Sequence, residues 1–265
     1  MNLMKLKHIA LAAMLAATGV ANAAIDTGAD SNGDFFFSIW DSAKSYTRDL
    51  NIQTTSFYTD VAAPGSYKYE FDLASDAVFA GFISTANLSE LKWNISMVET
   101  QGAKTVIDTY STLPAARITN DLGRTMAAGT GAFATAVNNG MTAQGTTDSA
   151  VFASATPGYA NNAIGSIPFG DSHGLLLNFK NTGTVANNSY VAGLGLVKMD
   201  FATQGILPGV YTPIVDPSNA SAVRAYMEGD YNLVITAVPE PESYAMLLAG
   251  LGLMGAIARR RQNKA

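Results

Sequence analysis

The stretch Ser66-Tyr67-Lys68-Tyr69-Glu70-Phe71-Asp72-Leu73 decides the fold class. Tyr67, Tyr69, Phe71 and Leu73 fall on one side of an extended chain, and Lys68, Glu70 and Asp72 on the other. Strict alternation of this kind is the period of a half-buried β-strand. The same pattern recurs outward in both directions. Residues 34–41 place Phe35, Phe37 and Ile39 on one face, and residues 91–99 do so with Leu91, Trp93, Ile95 and Met97. Gln101-Gly102 is a turn signal, after which 104–110 can return as a hairpin partner. Residues 174–180, 189–201 and 231–237 are further strand candidates.

One stretch has a different period. Leu122, Met126, Phe133 and Val137 are spaced as one face of a helix. Gly129 and Gly131 weaken it, and Asn138-Asn139-Gly140 predicts its end, giving a helix over roughly 120–140. The Gly-, Asn- and Thr-rich run from 140 to 170 reads as surface loops. Strands joined by short turns predict an all-β domain over 24–236, an antiparallel two-sheet sandwich with one short helix.

Charged residues make up only 14% of the chain. Six of the 16 basic residues (Lys5, Lys7, Arg259, Arg260, Arg261 and Lys264) lie in the end segments, as do two of the 21 acidic ones, Glu240 and Glu242. The middle therefore holds 10 basic and 19 acidic residues, a net charge of −9. Such a surface repels phosphate, which argues against a nucleic-acid partner. The chain has no cysteine, so neither disulfides nor thiolate metal sites support the core.

Both ends carry processing signals. Lys5 and Lys7 precede an apolar run over 9–20, and Ala21-Asn22-Ala23 follows as a small-x-small cleavage site. That order is a secretory signal peptide, predicted as a helix over 1–23 with cleavage after Ala23 and a mature chain starting at Ala24. It implies the Sec translocon and signal peptidase as transient partners.

The other end, 237–265, has three parts. Pro239 and Pro241 fix φ and lack amide donors, so the segment around Glu240 is extended. Residues 244–258 carry no charge; as a transmembrane helix they extend about 22 Å, against a hydrocarbon core of about 30 Å. Arg259, Arg260 and Arg261 then form a basic stop within 259–265, expected on the cytoplasmic side. Val238-Pro239-Glu240-Pro241, a Leu/Ala/Gly-rich helix and a terminal arginine run together resemble the PEP-CTERM sorting domain. That resemblance implies recognition of Pro239, Glu240 and Pro241 by an exosortase. It also implies removal of the tail, delivery to the surface of a Gram-negative cell, and a setting rich in exopolysaccharide.

Candidate chemistry between the signals is sparse. His173 is the single histidine of the mature chain, and the neighbouring Asp171 and Ser172 are too close in sequence to converge on it as a triad. Asp30, Asn32, Asp34 and Asp41 have the spacing of a calcium loop, but Phe35 stands where such a loop needs glycine, and an acidic turn before a strand is the simpler reading. Trp40, Tyr58, Tyr67 and Trp93 could stack on sugars; alternating aromatics are more often core. No cofactor, metal or catalytic set is expected. The sequence therefore predicts an exported, non-enzymatic surface or matrix protein associated with exopolysaccharide or biofilm. A carbohydrate-binding or adhesion module is the alternative, and a secreted hydrolase a more distant one.

Overall fold

The strand Asp34–Trp40 (β1) is buried along its whole length. A strand covered on one face alternates; one buried throughout must be covered on both. Phe35, Phe37 and Ile39 enter one core, while Phe36 and Trp40 enter another on the opposite face. The architecture in this computed structural model follows from that double burial. It describes residues 24–28, 32–63, 67–113, 117–161, 163–164, 167–171, 180–202, 205–218, 220–237 and 254.

Along the chain, β1 is followed by β2 (Lys44–Gln53), α1 (Thr54–Ala62), β3 (Lys68–Asp72) and α2 (Ala77–Ile83). The hairpin β4 (Lys92–Glu99) and β5 (Lys104–Tyr110) leads to α3 (Asn120–Gln144) and β6 (Ser149–Ala153). Short pieces β7 (Ala163–Ile164), β8 (Ile167–Pro168) and β9 (Gly183–Thr184) precede β10 (Leu194–Phe201). The last strands are β11 (Val210–Pro213), β12 (Arg224–Met227) and β13 (Asn232–Thr236). The expected sandwich is replaced by one continuous sheet in the order β3-β13-β12-β10-β5-β4-β1-β2-β6, with β11 added on β10 and β9 on β4. Every pairing is antiparallel.

The sheet is curled. Side chains from β12 and β13, such as Met227, Leu233 and Ile235, share a core with Phe37 of β1 and Tyr46 of β2, although those strands lie well apart in the sheet order. Helices α1 and α2 close this inner core with Phe57, Phe79 and Phe82. A bulge helps the sheet bend: Phe35 opposes Ile52 and Phe36 opposes Asp49, leaving Leu50 and Asn51 extra on β2, with Asn51 at φ 52. Asp76 fastens α2 to the sheet. Its carboxylate accepts from the helix amides of Val78 and Phe79, from the Tyr46 hydroxyl at 2.7 Å and from the Ser149 hydroxyl at 2.8 Å.

The outer face is covered by α3, a helix of 25 residues where a shorter one ending near Asn139 is expected. Gly129 and Gly131 do not break it, and other glycines along it sit where the sheet presses on it. A Cβ on Gly123 would meet the Phe201 ring at 2.1 Å, and one on Gly140 the Phe152 ring at 2.3 Å. The helix stops at Gly145, which takes φ 66. The run 140–170 is likewise not all loop: β6 pairs with β2, and Phe152, Tyr159 and Ala160 are core. Strands at 34–41, 66–73, 91–99, 104–110 and 231–237 lie where expected, and the 189–201 candidate narrows to β10. Of 174–180, only Lys180 is among the described residues.

Candidate functional site

Two clefts of about 610 Å³ open at opposite ends of β1. The first lies at its start and is made by residues remote in sequence. Ala24 and Asp26 come from the N-terminal segment, Asp34 from β1, Asn51 and Gln53 from the bulged end of β2, and Asn138 from α3. The segment is sewn in. The Ile25 amide donates to Asn138 Oδ1 at 2.8 Å, and Asn138 Nδ2 donates back to the Ile25 carbonyl at 3.0 Å. The Asp26 amide donates to Asp34 Oδ2 at 3.0 Å, and the Asp34 amide to the Asp26 carbonyl at 2.9 Å. Burial pushes Asp34 up to about 6 against the pull of the Asp26 amide, and the Asp26 charge adds to the rise. Burial likewise pushes Asp49 up to about 7; the Asn51 amide opposes this, while the charges of Asp34 and Asp148 reinforce it.

The second cleft lies beyond the other end of β1, lined by Asp41, Glu90, Lys92, Asn161 and Asp171 with the half-exposed Leu88 and Val185. Lys92 Nζ pairs with Asp171 Oδ2 at 2.6 Å, and the Thr182 hydroxyl donates to the other oxygen at 3.0 Å. Asp41 accepts from the amides of Ala43, Lys44 and Asn87, at 2.8, 2.9 and 2.8 Å. Burial alone would raise Asp41, but these amides and the nearby Lys44 hold it below the ordinary carboxylate range. Its carboxylate is thus committed to shaping the turn after β1.

The residues singled out from the sequence are not brought together. Asp34 and Asp41 flank a strand and stand about 23 Å apart at 3.3 Å per residue, too far to share an ion, and Asp30 is outside the described residues. Among the described residues no group of three or more His, Asp or Glu side chains is placed to hold a metal. His173 and Ser172 also lie outside them; Asp171 is engaged as above. Trp40 and Trp93 are buried, the latter donating through Nε1 to the Thr184 carbonyl at 3.0 Å, and Tyr58 and Tyr67 pack half-buried on the inner core. The aromatics are core, as their alternation suggested. The carboxylate cleft escaped sequence reasoning because its members are scattered from 24 to 138; only the unusual burial of Asp34 and Asp49 marks it.

Of the terminal signals, Ala21 and Ala23 fall outside the described residues, while Ala24 is described and lines the first cleft. Pro239, Glu240, Pro241, Arg259, Arg260 and Arg261 also lie outside. Among the described residues no helix is long and apolar enough to cross a membrane. The strand β13 ends at Thr236, and Ala237, buried, still accepts through its carbonyl from the Tyr190 hydroxyl at 3.3 Å. β13 runs parallel to β4, and the pairings carry Thr236 through Arg224, Gly195 and Tyr110 to the Lys92 side of the Ser96–Asp108 pair.

Residues 237–262 match the family model of the PEP-CTERM protein-sorting motif. No curated protein and no solved structure matches the chain. The chain is therefore a protein with a PEP-CTERM sorting motif, and that motif begins where the last strand stops. A motif of this kind implies processing by an exosortase and export to the cell envelope or surface.

Proposed function

We propose that a chain ending in this motif is a non-enzymatic surface protein whose folded domain is released from its tail by an exosortase and works in the exopolysaccharide matrix. The observation that carries the proposal is the junction: β13 is fully paired up to Thr236, and the motif starts at residue 237. A protease cutting at Pro239, Glu240 or Pro241 would leave the sheet untouched. In this reading the signal peptide over 1–23 leads the chain through the Sec translocon, signal peptidase frees Ala24, and 244–258 holds the domain transiently at the membrane, with Arg259, Arg260 and Arg261 inside. Intact mass and cell fractionation, with and without the host exosortase, test it. The expected product starts at Ala24, ends near Pro239 to Pro241, and is found outside the cell only when the exosortase is present. A chain that keeps Arg259 to Arg261 in the inner membrane regardless refutes it.

A second reading, carbohydrate binding, is favoured by one observation. The Lys92–Asp171 cleft has the volume of a small-ligand site and joins charged and polar side chains to the half-exposed Leu88 and Val185. Binding of purified exopolysaccharide that is lost in Glu90→Ala and Lys92→Ala supports this reading; silence with the wild-type protein removes it.

A further inference from the structure

Among the described residues, the carboxylates of the first cleft have no cation between them: Asp26 and Asp34 line it, and none of the described lining residues is Lys, Arg or His. Asp49, close enough to Asp34 to feel its charge, is 1% exposed, is bonded to the Asn51 amide through Oδ1, and has no hydrogen-bond partner at Oδ2. Asp148 adds a further negative charge near Asp49, and Arg48 opposes it with a positive one. The faces contributed by α1 and α3 are neutral, Ser56, Thr135 and Asn138. An unpaired buried carboxylate is costly, and a cation beside it removes much of that cost.

Ala24 lines the same cleft, and its backbone nitrogen is the group that can supply one. Ile25 is buried and held at both its amide and its carbonyl by Asn138. The Asp26 amide is bonded to Asp34. The Ala24 nitrogen is thus two residues, about 7 Å of extended chain, from the amide that Asp34 accepts. While the chain continues through Ala23, that nitrogen is a neutral peptide.

We propose that the cleft is the seat of the mature chain's own α-ammonium: hydrolysis of the Ala23–Ala24 bond creates a cation on Ala24 that pairs with Asp34 and Asp26 and completes the fold. This rests on the export reading above. Signal peptidase would add water across the amide, leaving a carboxylate on Ala23 and an amine on Ala24, which takes up a proton near neutral pH. The domain reaches its full stability only after the cut. Until then its carboxylates repel one another, so the precursor is the more easily unfolded form during translocation.

The test uses the full chain, exported from its own signal and purified with its tail in detergent. One form begins at Ala24; the other carries a Gly-Ser insertion between Ala23 and Ala24. The pH dependence of α-amine acylation, read by mass spectrometry, reports the terminal pKa, and thermal unfolding reports stability. The native terminus is expected to titrate above the ordinary range of about 7.7–8.0 and to return to it in the Gly-Ser form and in Asp34→Asn. The insertion should lower Tm by about 2–4 °C, and Asp34→Asn should erase that difference between the two forms. An ordinary α-amine pKa at a terminus shown by intact mass to be Ala24 overturns the proposal and leaves the export reading standing. A chain that does not begin at Ala24 overturns both. Stabilisation of both forms by calcium chloride, with the α-amine pKa ordinary, assigns the cleft to a soluble cation and also overturns it.

Discussion

Replacing Asp49 by Asn should make the domain less sensitive to alkali, by an amount that follows from its surroundings. Its carboxyl titrates at about 7 in the folded chain and at 3.8 when free of the fold. Because the folded state holds the proton to a higher pH, stability from this group is full below its unfolded pKa and is lost as pH rises through about 7. At about 1.4 kcal/mol per pH unit, the gap amounts to roughly 4 kcal/mol, of which about 3 kcal/mol falls between about pH 4.5 and about pH 8. Asparagine cannot ionise. Its amide nitrogen would occupy the position of the unpartnered Oδ2, costing about 1–3 kcal/mol, but equally at both pH values, so the penalty cancels in the comparison. The assay is urea unfolding of wild type and Asp49→Asn at the two pH values. Both chains carry a residue ahead of Ala24, so that no α-ammonium reaches the neighbouring cleft. Wild type should lose about 3 kcal/mol more than the variant between the low and the high pH. Equal losses would mean that Asp49 is ionised throughout, and the argument from burial would fail.

Other perturbations test the scaffold. Asp76→Ala removes a helix cap and strands the hydroxyls of Tyr46 and Ser149; a loss of about 2–4 kcal/mol is expected from denaturant unfolding. Burial would raise Asp76, but the Tyr46 and Ser149 hydroxyls and the helix amides hold it below the carboxylate norm. Its contribution should therefore fade as pH falls below about 4, the unfolded carboxylate range. Gly123→Leu drives a side chain into the Phe201 ring and should cost at least about 1–3 kcal/mol, whereas Gly81→Ala, with open space around its Cβ, should be neutral or better by thermal melt. Trp93→Ala should cost about 3–5 kcal/mol, since the indole is fully buried and bonded to Thr184. Truncation after Ala237 should leave Tm unchanged and abolish surface sorting; a large drop in Tm would show that the tail is part of the fold.

The strands of the central hairpin and the last strand are legible because each carries its own alternation. Leu91, Trp93, Ile95 and Met97 need only one buried face to declare β4, and Tyr69 and Phe71 do the same for β3. The short helices hide for the same reason in reverse. In α1 only Thr54, Phe57 and Val61 are buried, and in α2 only Phe79 and Phe82, too few turns for a period to emerge. The length of α3 was masked by glycines such as Gly131 and Gly140, which lie against Thr100 and Phe152 and serve contact rather than helix propensity. Phe36 and Trp40 fall on the face of β1 opposite Phe35, Phe37 and Ile39, and nothing local says that a distant helix covers them.

Export and sorting depend on short contiguous signals that a translocon or protease reads as an extended or simple helical chain, so the linear order of charges, apolar runs and prolines is sufficient to specify them. The curl of the sheet, the closure of its inner core by α1 and α2, and the meeting of Ala24, Asp34, Asn51 and Asn138 around one cleft are different in kind. They depend on which strands pair and how far the bulge at Asn51 bends them. Those choices are made by the packing of whole layers, and no local pattern in the chain records them.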